Sequence, residues 1–157
     1  MGDRSNVFFR SGKDGIGVYA HWAGESMADA VMCVLKSKAF QERLGDDNYA
    51  MRIGVQIVLE TLEADSKSDT GFGLWTPATG PDDNEYPWLV VDVETGDLFV
   101  AKNWKKPLPS ERVAKPTVGE IRRRMRGEPE PKKKVSSKKP APSRGSSKKA
   151  PRSSSRR

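Results

Sequence analysis

The run Tyr49-Ala50-Met51-Arg52-Ile53-Gly54-Val55-Gln56-Ile57-Val58-Leu59-Glu60-Thr61-Leu62-Glu63-Ala64 decides the fold. Arg52, Gln56, Glu60 and Glu63 recur at spacings of four, four and three, so they form one polar stripe of an α-helix. Met51, Ile53, Val55, Ile57, Val58, Leu59 and Leu62 occupy the rest of the circumference. A helix apolar over so much of its girth has to be covered, and a sheet is the partner that covers it.

Working towards the N-terminus, Gly45-Asp46-Asp47-Asn48 ends one helix and caps the next, its carboxylates suiting the positive end of a helix dipole. Ser26 with Asp29 three residues on resembles a capping box. The helix it opens buries Val31, Val34 and Leu35 and fades near Phe40. Before it, Asn6–Arg10 and Ile16–Trp22 read as a hairpin, with Gly12 and Gly15 able to take the positive φ of a tight turn.

Towards the C-terminus, Asp65–Thr70 is a polar loop, Gly71–Trp75 a strand, and Thr76–Pro87 a turn rich in proline, glycine and acid. Trp88-Leu89-Val90-Val91-Asp92-Val93 is apolar on both faces, as a central strand is. Glu94-Thr95-Gly96-Asp97 turns the chain into a partner strand, Leu98–Ala101. The order β-β-α-α-β-β-β predicts an α+β domain, two helices packed on one face of a mainly antiparallel sheet.

Charge divides the 157 residues sharply. Residues 1–110 carry 11 Lys/Arg against 17 Asp/Glu, a net −6, and residues 111–157 carry 17 against 4, a net +13. All 12 aromatic side chains lie between Phe8 and Trp104, so only the front part holds the large apolar groups that offset the entropy of ordering a chain. These contrasts predict an acidic globular domain over residues 1–106, a linker over 107–116, and a disordered Lys/Arg/Ser/Pro tail over 128–157. Between the last two, Thr117 and Glu120 read as a capping box, Val118, Ile121 and Met125 as one apolar face, and Gly127 as a helix stop. So short a helix, 117–127, is marginal alone and is expected to form fully only on docking.

The front part resembles a family of small proteins encoded mainly by bacteriophages and their bacterial hosts. The resemblance rests on Gly2-Asp3-Arg4-Ser5-Asn6, Tyr19-Ala20-His21-Trp22-Ala23-Gly24, Thr70-Gly71-Phe72-Gly73, and Asp83-Asn84-Glu85-Tyr86-Pro87 before Val90-Val91-Asp92, in that order. It implies a phage or prophage setting and a small α+β domain, and it brings no catalytic residues. The Lys/Ser/Pro tail lies outside it and resembles the tails of bacterial histone-like proteins.

Few side chains offer chemistry. His21 is the only histidine; a lone imidazole with no nucleophile or second ligand beside it reads as a group that hydrogen-bonds backbone and fixes the Gly24 turn. Asp82, Asp83 and Glu85 could face a hard cation, but they lack calcium-loop spacing and suit turn chemistry; Asp46-Asp47 suits a helix cap. The single cysteine, Cys33, excludes an internal disulfide and reads as core. Trp22, Trp75 and Trp88 read as packing residues, while Trp104, beside Lys105-Lys106, remains open as a stacking residue. No phosphate-cradling glycine loop, zinc-hydrolase helix or nucleophile elbow is present, so no enzyme, cofactor or metal is expected.

The basic residues carry the functional expectation. Arg122, Arg123, Arg124, Arg126, Lys132, Lys133, Lys134, Lys138, Lys139, Arg144, Lys148, Lys149, Arg152, Arg156 and Arg157 are the candidate nucleic-acid contacts, neutralising phosphate without reading sequence. The leading reading is a phage-encoded, non-enzymatic accessory protein on duplex DNA that presents its acidic domain to a protein partner. The alternatives are an inhibitor of a host or defence factor acting through that domain, and a virion protein whose tail meets packaged genome. With no apolar run near the ~20 residues of a membrane span, the expected setting is the host cytoplasm, at the nucleoid, or the virion.

Overall fold

A computed structural model describes residues 3–64, 71–81, 83–132 and Gly145. The strands are β1 (Ser5–Ser11), β2 (Asp14–Ala20), β3 (Phe72–Trp75), β4 (Trp88–Asp92) and β5 (Leu98–Ala101). The helices are α1 (Met27–Lys36), the single turn α2 (Lys38–Gln41), α3 (Asp47–Thr61) and α4 (Val118–Met125). The fold is α+β, as expected. The five strands lie in the order β3-β2-β1-β4-β5. Three of the four pairings are antiparallel, and β1 with β4 is parallel.

The sheet has two unlike faces. On one, Val7, Phe9, Val18, Leu89 and Val91 are buried under Val31 and Val34 of α1, Met51 and Val58 of α3, and Ile121 and Met125 of α4. Alternate residues of the same strands point the other way, as the period-two pleat requires. There Phe8, Val90 and Ala101 pack with Trp75 and Trp104. The two indoles close over this second face. From Trp75 the polypeptide passes Pro77, beside the Gly12-Lys13 turn, and reaches Asp83 and Asn84 beside Arg4 and Asn6. The segment read as a turn, Thr76–Pro87, therefore recrosses the sheet, because β4 runs parallel to β1 and must start at the end where β1 starts.

Two glycines permit this packing. Gly54 of α3 faces the Phe9 ring, and a Cβ there would lie 2.5 Å from it, so the helix approaches the sheet only without a side chain. Gly17 of β2 lies under the indole of Trp75, which a Cβ would overlap. Trp75 in turn stacks on Phe8 with ring centroids 5.0 Å apart and planes 8° from parallel.

The polar stripe of α3 is as expected over Arg52, Gln56 and Glu60, which are exposed and joined by hydrogen bonds from Arg52 to Gln56 (2.7 Å) and Gln56 to Glu60 (2.8 Å); the helix ends at Thr61, and Glu63 stands past it at φ +55°. Its apolar surface is less covered than expected. Met51 and Val58 are buried, whereas Ile53, Val55, Ile57, Leu59 and Leu62 are half-buried. At the β3 edge Leu74 is 62% exposed.

Both expected side-chain caps of the front helices are absent. Ser26 closes a 3-10 turn, Gly24–Ser26, with helical backbone angles that carry its hydroxyl away from the next turn, and the Asp29 carboxylate is taken by Arg122. Asp46 makes no side-chain cap for α3, because Arg43 holds it at 3.3 Å; Gly45 does end the preceding turn, at φ +84°. At α4 the Thr117 hydroxyl does accept from the Glu120 amide at 3.1 Å, and Gly127 at φ +69° does stop the helix.

The larger correction concerns where the packed part ends. Residues 107–116 are not a free linker: Val113 is buried and donates its amide to Leu98 (2.8 Å), and Arg112 bridges to Phe99 along the outer edge of β5. Nor does α4 wait for an outside partner. Ile121 is fully buried and Met125 is 3% exposed, both in the helix-side core. A boundary at 106 would cut through this core. The apolar face of α4 was legible; its docking site is α1 of the same chain.

Candidate functional site

Arg122, Arg123 and Arg124 of α4 are half-buried, Arg126 follows its last residue, and all four are paired. Arg123 bonds Glu120 through two nitrogens, at 2.9 and 2.7 Å, and Arg124 reaches the same carboxylate at 2.7 Å. The two guanidiniums hold the Glu120 carboxyl down at about 2, Arg123 contributing more than Arg124. Arg122 pairs with Asp29, and Arg126 with Glu25 (2.9 Å) and Glu128 (2.6 Å). Asp29 and Glu25 belong to α1 and its preceding turn, so these bridges clamp α4 to the domain. Of the other candidate contacts, Lys132 is exposed at the end of the described stretch 83–132. Lys133, Lys134, Lys138, Lys139, Arg144, Lys148, Lys149, Arg152, Arg156 and Arg157 lie outside the described residues.

The segments that carry the phage-family resemblance meet at one end of the sheet. The Gly24 amide donates to the Asp3 carbonyl (2.9 Å), and the Tyr86 hydroxyl donates to the Asp3 carboxylate (2.6 Å). That bond, ahead of burial and of the charge of Asp3, raises the Tyr86 hydroxyl to about 12. Arg4 pairs with Asp83, and buried Asn6 joins the Trp75 indole N–H (2.9 Å) to Asn84 (3.3 Å). The His21 amide donates to the Gly71 carbonyl at 2.8 Å. These are bonds between chain segments, and each holds a turn in place.

Three side chains differ from their sequence reading. The His21 ring meets the Tyr19 hydroxyl through Nδ1 (2.8 Å) rather than backbone, and Asp3, not His21, fixes the Gly24 turn. Cys33 is exposed, because its position on α1 faces away from the sheet. Trp22 is 64% exposed, on the chain just after β2 ends. Trp75 does pack, and Trp88 is half-buried with its ring edge-on to Trp75 at 6.1 Å. Asp82 lies outside the described residues, and Asp83 is engaged by Arg4. Among the described residues no three His, Cys, Asp or Glu side chains gather to hold a metal ion, and no helix is long and apolar enough to cross a membrane.

Trp104, open in the sequence, is resolved as a packing residue. It is 8% exposed, edge-on to Phe8 (5.0 Å, 70°) and to Trp75 (4.9 Å, 71°), with Lys105 Nζ 5.3 Å above its ring. No free ring face is left for a base. Around it opens a cleft of about 300 Å³ lined by Phe8, Arg10, Lys13, Pro77, Lys105 and Lys106. Lys105-Lys106 adjoin Trp104 in the sequence, whereas only the fold brings Arg10 and Lys13 to them. Comparison with family models, with curated proteins and with solved structures returned no match.

Proposed function

We propose that this chain is a phage-encoded, non-enzymatic accessory protein. Its C-terminal polycation holds it on duplex DNA without sequence preference, and its acidic domain is offered to a protein partner. The phage setting follows the motif resemblance described above. One observation carries the DNA reading. With the α4 arginines paired within the domain, residues 1–130 hold 17 Lys/Arg against 21 Asp/Glu, and residues 131–157 hold 11 Lys/Arg and no acid. The uncompensated positive charge is therefore concentrated past the packed domain. A polycation of this kind gains affinity by displacing counterions from phosphate.

The test is to titrate the full chain, residues 1–132 and residues 133–157 against two unrelated duplexes from 50 to 200 mM salt. If six to ten phosphates are neutralised, the affinity of the full chain falls by about 10³–10⁵ over that range, equally on both duplexes. Residues 1–132 bind far more weakly. Full affinity with a shallow salt slope in residues 1–132 would move the DNA contact onto the domain and end this reading.

A further inference from the structure

We propose that the cleft beside Trp104 is a second phosphate site, built into the folded domain, that takes the backbone of the nucleic acid held by the polycation. The inference rests on the DNA reading for its ligand and on a separate set of residues for its chemistry. Arg10 and Lys13 come from the β1–β2 hairpin, Lys105 and Lys106 from the chain after β5, and all four line one cleft. The domain around them is acidic: residues 1–110 are net −6.

Their charge is free where that of α4 is spent. None of the four belongs to an ion pair among the described residues. Arg10 Nε donates to the Gly12 carbonyl at 3.1 Å, which fixes the guanidinium near the hairpin turn. Asp92, opposite Arg10 in the strand register, is occupied by the turn it caps: its carboxylate accepts from the Glu94 (2.9 Å) and Thr95 (3.2 Å) amides.

The floor favours an anion over a base. Phe8 and Trp104 are 1% and 8% exposed, so they offer a dry, rigid wall rather than a ring face. Lys13, Lys105 and Lys106 are exposed beside it and Arg10 is half-buried, so an anion in the cleft can reach all four. A volume of about 300 Å³ admits a phosphodiester unit, not a folded peptide. The cleft lies on the face of the sheet opposite α4. The 25 residues after Lys132 have a contour of at most about 90 Å, ample for one duplex to meet both.

The experiment follows backbone amide and indole signals of the full chain by NMR during titration with sodium pyrophosphate and, separately, with a 12-base-pair duplex. The signals of Gly12, Lys13, Lys105, Lys106 and the Trp104 indole are expected to shift saturably with both. In the full-chain variant Lys13→Gln/Lys105→Gln/Lys106→Gln those shifts disappear, and the salt slope for the duplex falls by about 0.9 for each lysine that had engaged a phosphate. The signals of Val31 and Val58, in the helix-side core, report that the variant is folded. A duplex that binds while the cleft signals stay still overturns the cleft and leaves the polycation reading standing. A cleft saturated by pyrophosphate in a chain that binds no duplex overturns the polycation reading and, with it, the nucleic-acid ligand assigned to the cleft. Silence with both ligands overturns both.

Discussion

Two groups of four cations occupy opposite faces of this sheet, and they differ in what surrounds them. Arg122, Arg123, Arg124 and Arg126 form the densest basic run in the described chain, and every one is paired with a carboxylate, Arg123 and Arg124 sharing one. Arg10, Lys13, Lys105 and Lys106 are scattered over almost a hundred residues of sequence and converge, unpaired, on one cleft. Linear density of charge is thus a poor guide to where a polyanion finds a free cation. The α4 arginines are spent on architecture: Arg122 and Arg126 reach Asp29 of α1 and Glu25 of the turn before it, and Arg123 and Arg124 share Glu120 within α4. Exposed ion pairs are individually weak, so their work is to orient a helix whose burial supplies most of the energy.

Burial therefore accounts for the largest expected effect. A chain ending at Lys106 loses Val113, Ile121 and Met125 from the core, each contributing about 1.5–3 kcal/mol if fully buried. Against a chain ending at Lys132 it is expected to be less stable by on the order of 5 kcal/mol, a large share of a typical domain's total. Urea unfolding of the two chains measures this. Equal midpoints would make α4 a passenger and return its arginines to the pool of candidate DNA contacts. Trypsin should likewise leave a resistant fragment ending beyond Arg126, not near Lys106.

One residue within α4 carries much of that loss. Ile121→Ala should cost about 2–5 kcal/mol, the range for removing a fully buried branched side chain without collapse of the cavity. Because α4 lies at the end of the packed chain, hydrogen exchange should show it opening before the sheet does. Uniform loss of protection across sheet and helix alike would mean that α4 is inseparable from the core.

What was legible in the sequence follows from how local each signal is. The α3 stripe, the hairpin and the double-sided strand Trp88–Val93 are periodic within a few residues, and the element order alone implied an α+β layer. The apolar face and both ends of α4 were legible for the same reason. Its destination was not, since nothing within nine residues says which surface will cover Ile121. The same limit hid the cleft, whose two halves meet only because β1 pairs with both the hairpin strand and β4. Composition misled at Cys33 and Trp22, where an apolar residue type stands on an exposed position. The expected cap at Ser26 failed because the residue has helical backbone angles, and the one at Asp46 because Arg43 takes its carboxylate.

A smaller effect separates the two cation groups by unmasking one of them. Glu120→Gln removes the carboxylate shared by Arg123 and Arg124 while keeping its shape. The expected outcome has two parts. The helix becomes less protected in hydrogen exchange, and the salt slope of DNA binding steepens by about 0.9 for each freed arginine that reaches a phosphate. An unchanged slope with a loosened helix would show that these arginines point away from bound DNA even when free.

Acid should produce the mildest version of the same release, and its direction is fixed by the lowered pKa of Glu120. Arg123 first and Arg124 second hold that carboxyl at about 2, against an ordinary 4.5. A carboxyl depressed on folding adds stability that is fully present above its unfolded value and lost as the pH falls through its folded one. The pairing of Glu120 with Arg123 and Arg124 within α4 is therefore at full strength above about pH 4.5 and weakens progressively as the pH falls towards 2. The effect is small because the Glu120 side chain remains 26% exposed and is partly screened by water and salt. Asp97, lowered by its bond to Arg112, weakens in the same direction at the β5 edge, so a global unfolding curve would merge the two. Following the Glu120 side-chain carboxyl by NMR keeps them apart. A midpoint near 4.5, or an α4 that loosens equally in acid when Glu120 is already glutamine, would show that the arginines do not grip this carboxylate. The paired side of the comparison would then be no more occupied than the cleft.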